Sequence, residues 1–145
     1  MTTQVEFVVL KNSRQWLLAA VDSLNSLNAI FSRIILIADE RNQIEQIDEY
    51  LWQNSMTKFI PNALEGECFS HSTAVILTTE QPEGRRFQAL VNLTGQMQSN
   101  PQQYQSIVEF VKTEEENKEQ SRLLFKNYRQ LGFQVQHREL ATSYE

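Results

Sequence analysis

Three groups of side chains in this sequence have the types and spacing to do chemistry. Lys118, Arg122, Lys126 and Arg129 recur every three or four residues, with Phe125 among them. At ~100° per residue on a helix, the four cations fall within an arc of ~80°, and Phe125 lies between that arc and the apolar face. A cationic rim beside an aromatic ring suits a short acidic peptide with a bulky apolar end. The cations take carboxylates, bidentate where Arg122 allows, and the apolar edge takes the side chain. The ordinary competitor is a solvated charged face. Against it stands segregation, because Glu114, Glu115 and Glu116 sit together before the basic stripe begins.

The second group is aromatic. Trp52 falls off the Ile44–Ile47–Leu51 stripe, and Phe59-Ile60-Pro61 follows seven residues later. Spacing leaves two readings open: burial of both rings under a long connection, or an exposed anchor pair for a protein partner. The third group is Cys68 and His71, three residues apart, which could seed a zinc site or a thiol–imidazole pair. Two donors fall short of the four of a structural zinc, and the remaining imidazole, His137, has no motif around it. The expectation is an unreactive thiol beside a surface histidine, with no metal.

Catalytic patterns are missing. The turn after the first apolar run, Lys11-Asn12-Ser13-Arg14, contains no glycine, so neither a phosphate-binding loop nor the Rossmann glycine fingerprint can form there. No Gly-x-Ser-x-Gly nucleophile motif is present. The chain is expected to be no enzyme and to hold no cofactor. A degenerate nucleotide-binding α/β enzyme is the alternative, and a direct single-stranded nucleic-acid binder is another. The net charge of −5 speaks against the last, since phosphate binding needs a concentrated positive face.

The elements that must position these groups follow from period and punctuation. Val5–Leu10 and Arg33–Ala38 read as strands buried on both faces. Between them, Trp16, Leu17, Ala20, Leu24, Leu27 and Phe31 form a helical stripe, and Asp39 is expected to cap a second helix carrying Ile44, Ile47 and Leu51. Residues 54–72 read as a long connection. Thr73–Thr79, Phe87–Thr94 (alternating) and Ser106–Val111 read as further strands. The last helix has a capping box at Thr113 and Glu116 and stops at Gly132. Its core face is expected to be Asn117, Ser121, Leu124, Tyr128 and Leu131. A short edge strand is expected at Phe133–Gln136, with fraying from about residue 138. The fold class is therefore α/β: one domain over 1–145, a mostly parallel or mixed sheet flanked by helices, Rossmann-like without a nucleotide-binding loop. At 145 residues with 41% hydrophobic and 21% charged residues, one core is expected. A single cysteine forbids an intrachain disulfide and points to a reducing cytoplasm. The opening residues do not read as a secretory signal, and no apolar run approaches ~20 residues.

Two stretches carry a family likeness. Tyr50-Leu51-Trp52 with Phe59-Ile60-Pro61-Asn62-Ala63-Leu64-Glu65-Gly66-Glu67, and Phe125-Lys126-Asn127-Tyr128-Arg129-Gln130-Leu131-Gly132-Phe133, resemble the chi subunit of bacterial DNA polymerase III, an accessory protein of the clamp-loader complex. The departures are Asn62, where relatives often have histidine, and a shorter turn around Gln81–Arg86. The resemblance implies a non-catalytic adaptor in the cytoplasmic, nucleoid-associated replication machinery. It would bind the psi subunit of the clamp loader and, by a separate surface, the acidic C-terminal tail of single-stranded-DNA-binding protein. Carried over, the tail site is Val111, Lys118, Arg122, Phe125 and Lys126. Trp52 and Phe59 match positions linked to psi and to an alternative helicase partner.

Overall fold

Apolar runs decide the centre of the sheet. In the computed structural model, which describes residues 3–10, 16–28, 30–31, 33–53, 62–64, 75–80, 87–98, 100–111 and 115–139, strands β2 (Ile34–Ile37), β4 (Val75–Thr78) and β5 (Ala89–Asn92) are buried at every residue. Such runs fit strands covered on both faces, as in parallel sheets. β1 (Gln4–Val9), β3 (Asn62–Leu64), β6 (Ser106–Val111) and β7 (Gln134–Glu139) complete a seven-stranded sheet in the order β3-β4-β2-β5-β6-β1-β7. Every pairing in it is parallel. This is the expected open α/β fold.

Helices cover both faces. α1 (Trp16–Asn28) buries Ala19, Ala20, Leu24 and Leu27, and α2 (Arg41–Gln53) buries Ile44 and Ile47, against Val8, Ile34, Leu36, Val75, Leu77 and Val91. α3 (Glu115–Gln130) lies on the opposite face, where Leu124 and Tyr128 pack with Val5, Phe7, Ile35, Ile37, Leu90 and Ile107. Alternation along the strands separates the two clusters, since Val5 and Phe7 face α3 while Val8 faces α1.

The structure corrects several expectations. The cap of α2 falls on Glu40 rather than Asp39: the Glu40 N–H donates to Gln43 Oε1 at 3.1 Å, the backward half of a capping box. The connection expected over 54–72 contains β3, whose three residues pair with β4. β5 does not alternate, because α1 and α3 enclose it from both sides. Leu131 is 53% exposed rather than core, because α3 ends at Gln130 and the chain turns away at Gly132, whose φ is +86°. There the Phe133 N–H donates to Tyr128 O at 3.2 Å and the Gly132 N–H to Arg129 O at 3.0 Å, the pattern of a Schellman turn. The edge strand runs on to Glu139 instead of fraying at 138, since the Arg138 guanidinium holds Glu6 of β1 at 2.8 Å. Thr113, half of the expected capping box, lies outside the described residues, as do residues 140–145.

Candidate functional site: a cationic groove beneath the last helix

Register builds the floor of the site. Asn92 on β5 pairs with Glu109 on β6, Glu109 with Phe7 on β1, and Phe7 with His137 on β7. These four residues form one row across the sheet, on the face that α3 covers. One step toward the strand ends, Val111 pairs with Val9.

The inner part of the row is sealed. Glu109 is 1% exposed and Asn92 1% exposed, and Tyr128 reaches down from α3. The Tyr128 hydroxyl donates to Glu109 Oε2 at 2.7 Å, and Asn92 Nδ2 donates to the same oxygen at 2.9 Å. Burial pushes the Glu109 carboxyl up to about 8, against the downward pull of those two hydrogen bonds. The group is accordingly a largely neutral acid at pH 7. Burial, and then the Glu109 charge, push the Tyr128 phenol up. Asn92 also ties down the following loop, accepting from the Thr94 N–H at 3.1 Å and donating to Gln96 O at 2.7 Å.

The outer part of the row is open. Phe125 of α3 stacks on His137 with ring centroids 4.6 Å apart and 12° between planes, and it meets Phe7 at 5.6 Å. The Arg129 guanidinium lies 5.9 Å from the Phe125 centroid, within cation–π range. Beside this stack is a groove of about 290 Å³ lined by Val9, Val111, Lys118, Ser121, Arg122, Phe125 and His137. Its walls are apolar and two cations stand in its lining. Neither ion pair formed among the described side chains, Arg41–Glu45 and Arg138–Glu6, takes up Lys118 or Arg122. An occupant with an anionic head and an apolar body would meet complementary groups on both counts.

Of the residues singled out from the sequence, Val111, Lys118, Arg122 and Phe125 line this groove. Lys126 does not, because it lies ~40° further round the helix than Arg122; it is exposed on the outer side of α3. Trp52 belongs to the last turn of α2, and its side chain lies outside what is described, as do Phe59, Cys68 and His71. Sequence reasoning missed Val9, Ser121 and His137. Ser121 could have been found, since it precedes Phe125 by one helical turn. His137 could not, because only the pairing of β7 with β1 brings it beneath α3.

Two other cavities lie elsewhere. One of about 470 Å³ sits at the amino ends of β1 and β6 beside Leu27, Ile30 and Phe31. The other, of about 270 Å³, lies at the carboxyl ends of β2 and β5, where open α/β sheets hold ligands. Its lining of Asp39, Gln43, Asn92, Thr94 and Gln120 offers amides and a carboxylate rather than cations, poor company for phosphate. Among the described residues, no three His, Cys, Asp or Glu side chains gather as metal donors, and no helix is long and apolar enough to cross a membrane.

Comparison with known proteins decides the family. The family described as "DNA polymerase III chi subunit, HolC" matches residues 1–136. The chain belongs to the DNA polymerase III chi subunit family. It is also 25% identical over 104 residues to the DNA polymerase III subunit chi of Haemophilus influenzae, a match spanning 71% of this chain and 72% of that protein. The chi-family match ends one residue before His137, so α3 and nearly all of the groove fall within it.

Proposed function

We propose that this chi-family chain is a non-catalytic adaptor of the replicative clamp-loader complex. Its α3 groove takes the acidic C-terminal tail of single-stranded-DNA-binding protein, and a separate surface around Trp52 and Phe59 takes the psi subunit. The observation that carries the first half is the groove itself: Lys118 and Arg122 stand over an apolar slot formed by Val9, Val111 and Phe125. In this reading the charges steer and orient the tail, because exposed ion pairs contribute only ~0–1 kcal/mol each. The apolar end group in the slot supplies most of the affinity. Arg122 is the exception if it grips the terminal carboxylate through two parallel hydrogen bonds.

A tail of a few residues buries far less than the ~1,200 Å² of a stable interface, so binding is weak and reversible. Several tails displayed on one partner restore avidity. Calorimetric titration with the tail peptide tests the assignment. Arg122→Ala weakens binding by ~2 kcal/mol or more and Lys118→Ala by up to ~1 kcal/mol while psi association persists, and unchanged affinity in both variants refutes the site. Binding also weakens as salt rises.

The psi half rests on family likeness and on the off-stripe position of Trp52. Trp52→Ala or Phe59→Ala removes psi binding at nearly constant melting temperature; a variant that unfolds instead marks its residue as core. An accessory helicase is the alternative partner at the same positions. Cytoplasmic location and indirect contact with nucleic acid follow from the same assignment. A gel shift with naked single-stranded DNA should show no complex.

A further inference from the structure

His137 is the one imidazole in the groove lining, and its placement gives its charge state a consequence. Its ring is exposed, yet it is held flat against Phe125 at 4.6 Å and near Phe7 at 5.8 Å, so it lines the slot in a defined position. We propose that His137 makes the groove's hold on an anionic chain end pH-dependent, its imidazolium acting as a third cation beside Lys118 and Arg122. The inference rests on the reading of this groove as an acidic-tail site and adds the regulation of that site.

The electrostatic surroundings set the sign. From α3, Lys118 and Arg122 share the groove lining with His137, and Arg129 lies over the neighbouring Phe125 ring. From β1, the packed residues Phe7 and Val9 are uncharged; Glu6 faces the other side of the sheet, paired with Arg138 of β7. The carboxyl in the same row, Glu109, is separated from His137 by Phe7 and sealed by Tyr128. On β7 itself, Glu139 stands in register with Val9; the described side chains that face His137 are cationic or neutral. A carboxylate bound in the groove stabilises the imidazolium. Imidazole titrates in the range where this matters, between about pH 5 and 8. Binding and protonation therefore favour each other, reciprocally.

The test is calorimetric titration of the full chain with the acidic tail peptide at about pH 5.5 and about pH 7.5, where aspartates of the peptide stay ionised. One added charge at an exposed site gives about threefold to fivefold tighter binding at the lower pH. His137→Gln and the ring-preserving His137→Tyr lose the difference in affinity between the two pH values. In the wild type, the His137 imidazole resonance followed by NMR titrates about 0.5–0.7 of a pH unit higher with peptide than without. A wild type that binds equally at both pH values, or variants that keep the full pH dependence, overturns the proposal and leaves the groove assignment standing. A wild type that fails to bind at either pH overturns both. Wild-type affinity in Arg122→Ala at both pH values does the same.

Discussion

Glu109 and His137 stand in one row of the sheet, on one face and under one helix, and they share almost nothing else. Glu109 belongs to β6, an interior strand, and is 1% exposed; His137 belongs to β7, the edge strand, and meets solvent. Burial pushes the Glu109 carboxyl up to about 8 and gives it two fixed donors, Tyr128 and Asn92. Two strands away, the imidazole stacks on Phe125 beside two cations open to a partner. Strand order thus divides one helix's footprint into a sealed polar anchor and an open binding slot. The lesson is that a titratable side chain's role here follows from its distance to the sheet edge more than from its chemistry.

The largest way to break the comparison is at its shared cover. Tyr128→Ala deletes a wholly buried ring and leaves Glu109 short of a donor, and should cost ~3–5 kcal/mol of stability by urea unfolding. A loss below ~1 kcal/mol would mean that α3 is not anchored through this residue. On the open side, Arg122→Ala should weaken tail binding by ~2 kcal/mol or more with melting temperature unchanged. A matching loss of stability would merge the two regions into one.

The pH dependence of stability sharpens the contrast. The folded Glu109 holds its proton up to about 8, while the unfolded carboxyl releases it near 4.5. Between those values the native state binds the extra proton, so this group's contribution to stability is full below about 4.5 and is lost as pH rises through about 8. The slope due to this group is at most ~1.4 kcal/mol per pH unit. Glu109→Gln, which keeps a neutral acceptor for Tyr128, should flatten that slope and leave the variant the more stable of the two at pH 8. Thermal melts from pH 5 to 8 with parallel slopes would contradict the buried-acid assignment. The smallest effect belongs to a site remote from both ends of the row. Gly132→Ala meets no atom within 4 Å but must adopt φ +86°, a cost of ~1 kcal/mol without change in tail affinity.

Sequence period and composition were enough for most of the architecture. Buried β-branched runs marked β1, β2, β4 and β6, and the spacing of Leu24 and Leu27, of Ile44 and Ile47, and of Leu124 and Tyr128 marked three helices and their inward faces. Helical geometry alone also brought Lys118, Arg122 and Phe125 to one side of α3, because separations of four, three and seven residues keep them within an arc of ~60° around the axis. What it could not do was bound the groove. Lys126 shares the charge of that stripe but stands just beyond its edge, and Leu131 shares the apolar character of the core face but follows the helix end. β3 was too short, at three residues, to show any period.

Adjacency across strands was decided only in three dimensions. The row from Asn92 through Glu109 and Phe7 to His137 joins residues as much as 130 positions apart in the chain, and it depends on which strand lies beside which. Local sequence specifies the period and chirality of one element at a time. Pairing order and register emerge from burying both sheet faces at once, and that is why a histidine without a motif came to stand beneath α3, the helix that precedes its strand.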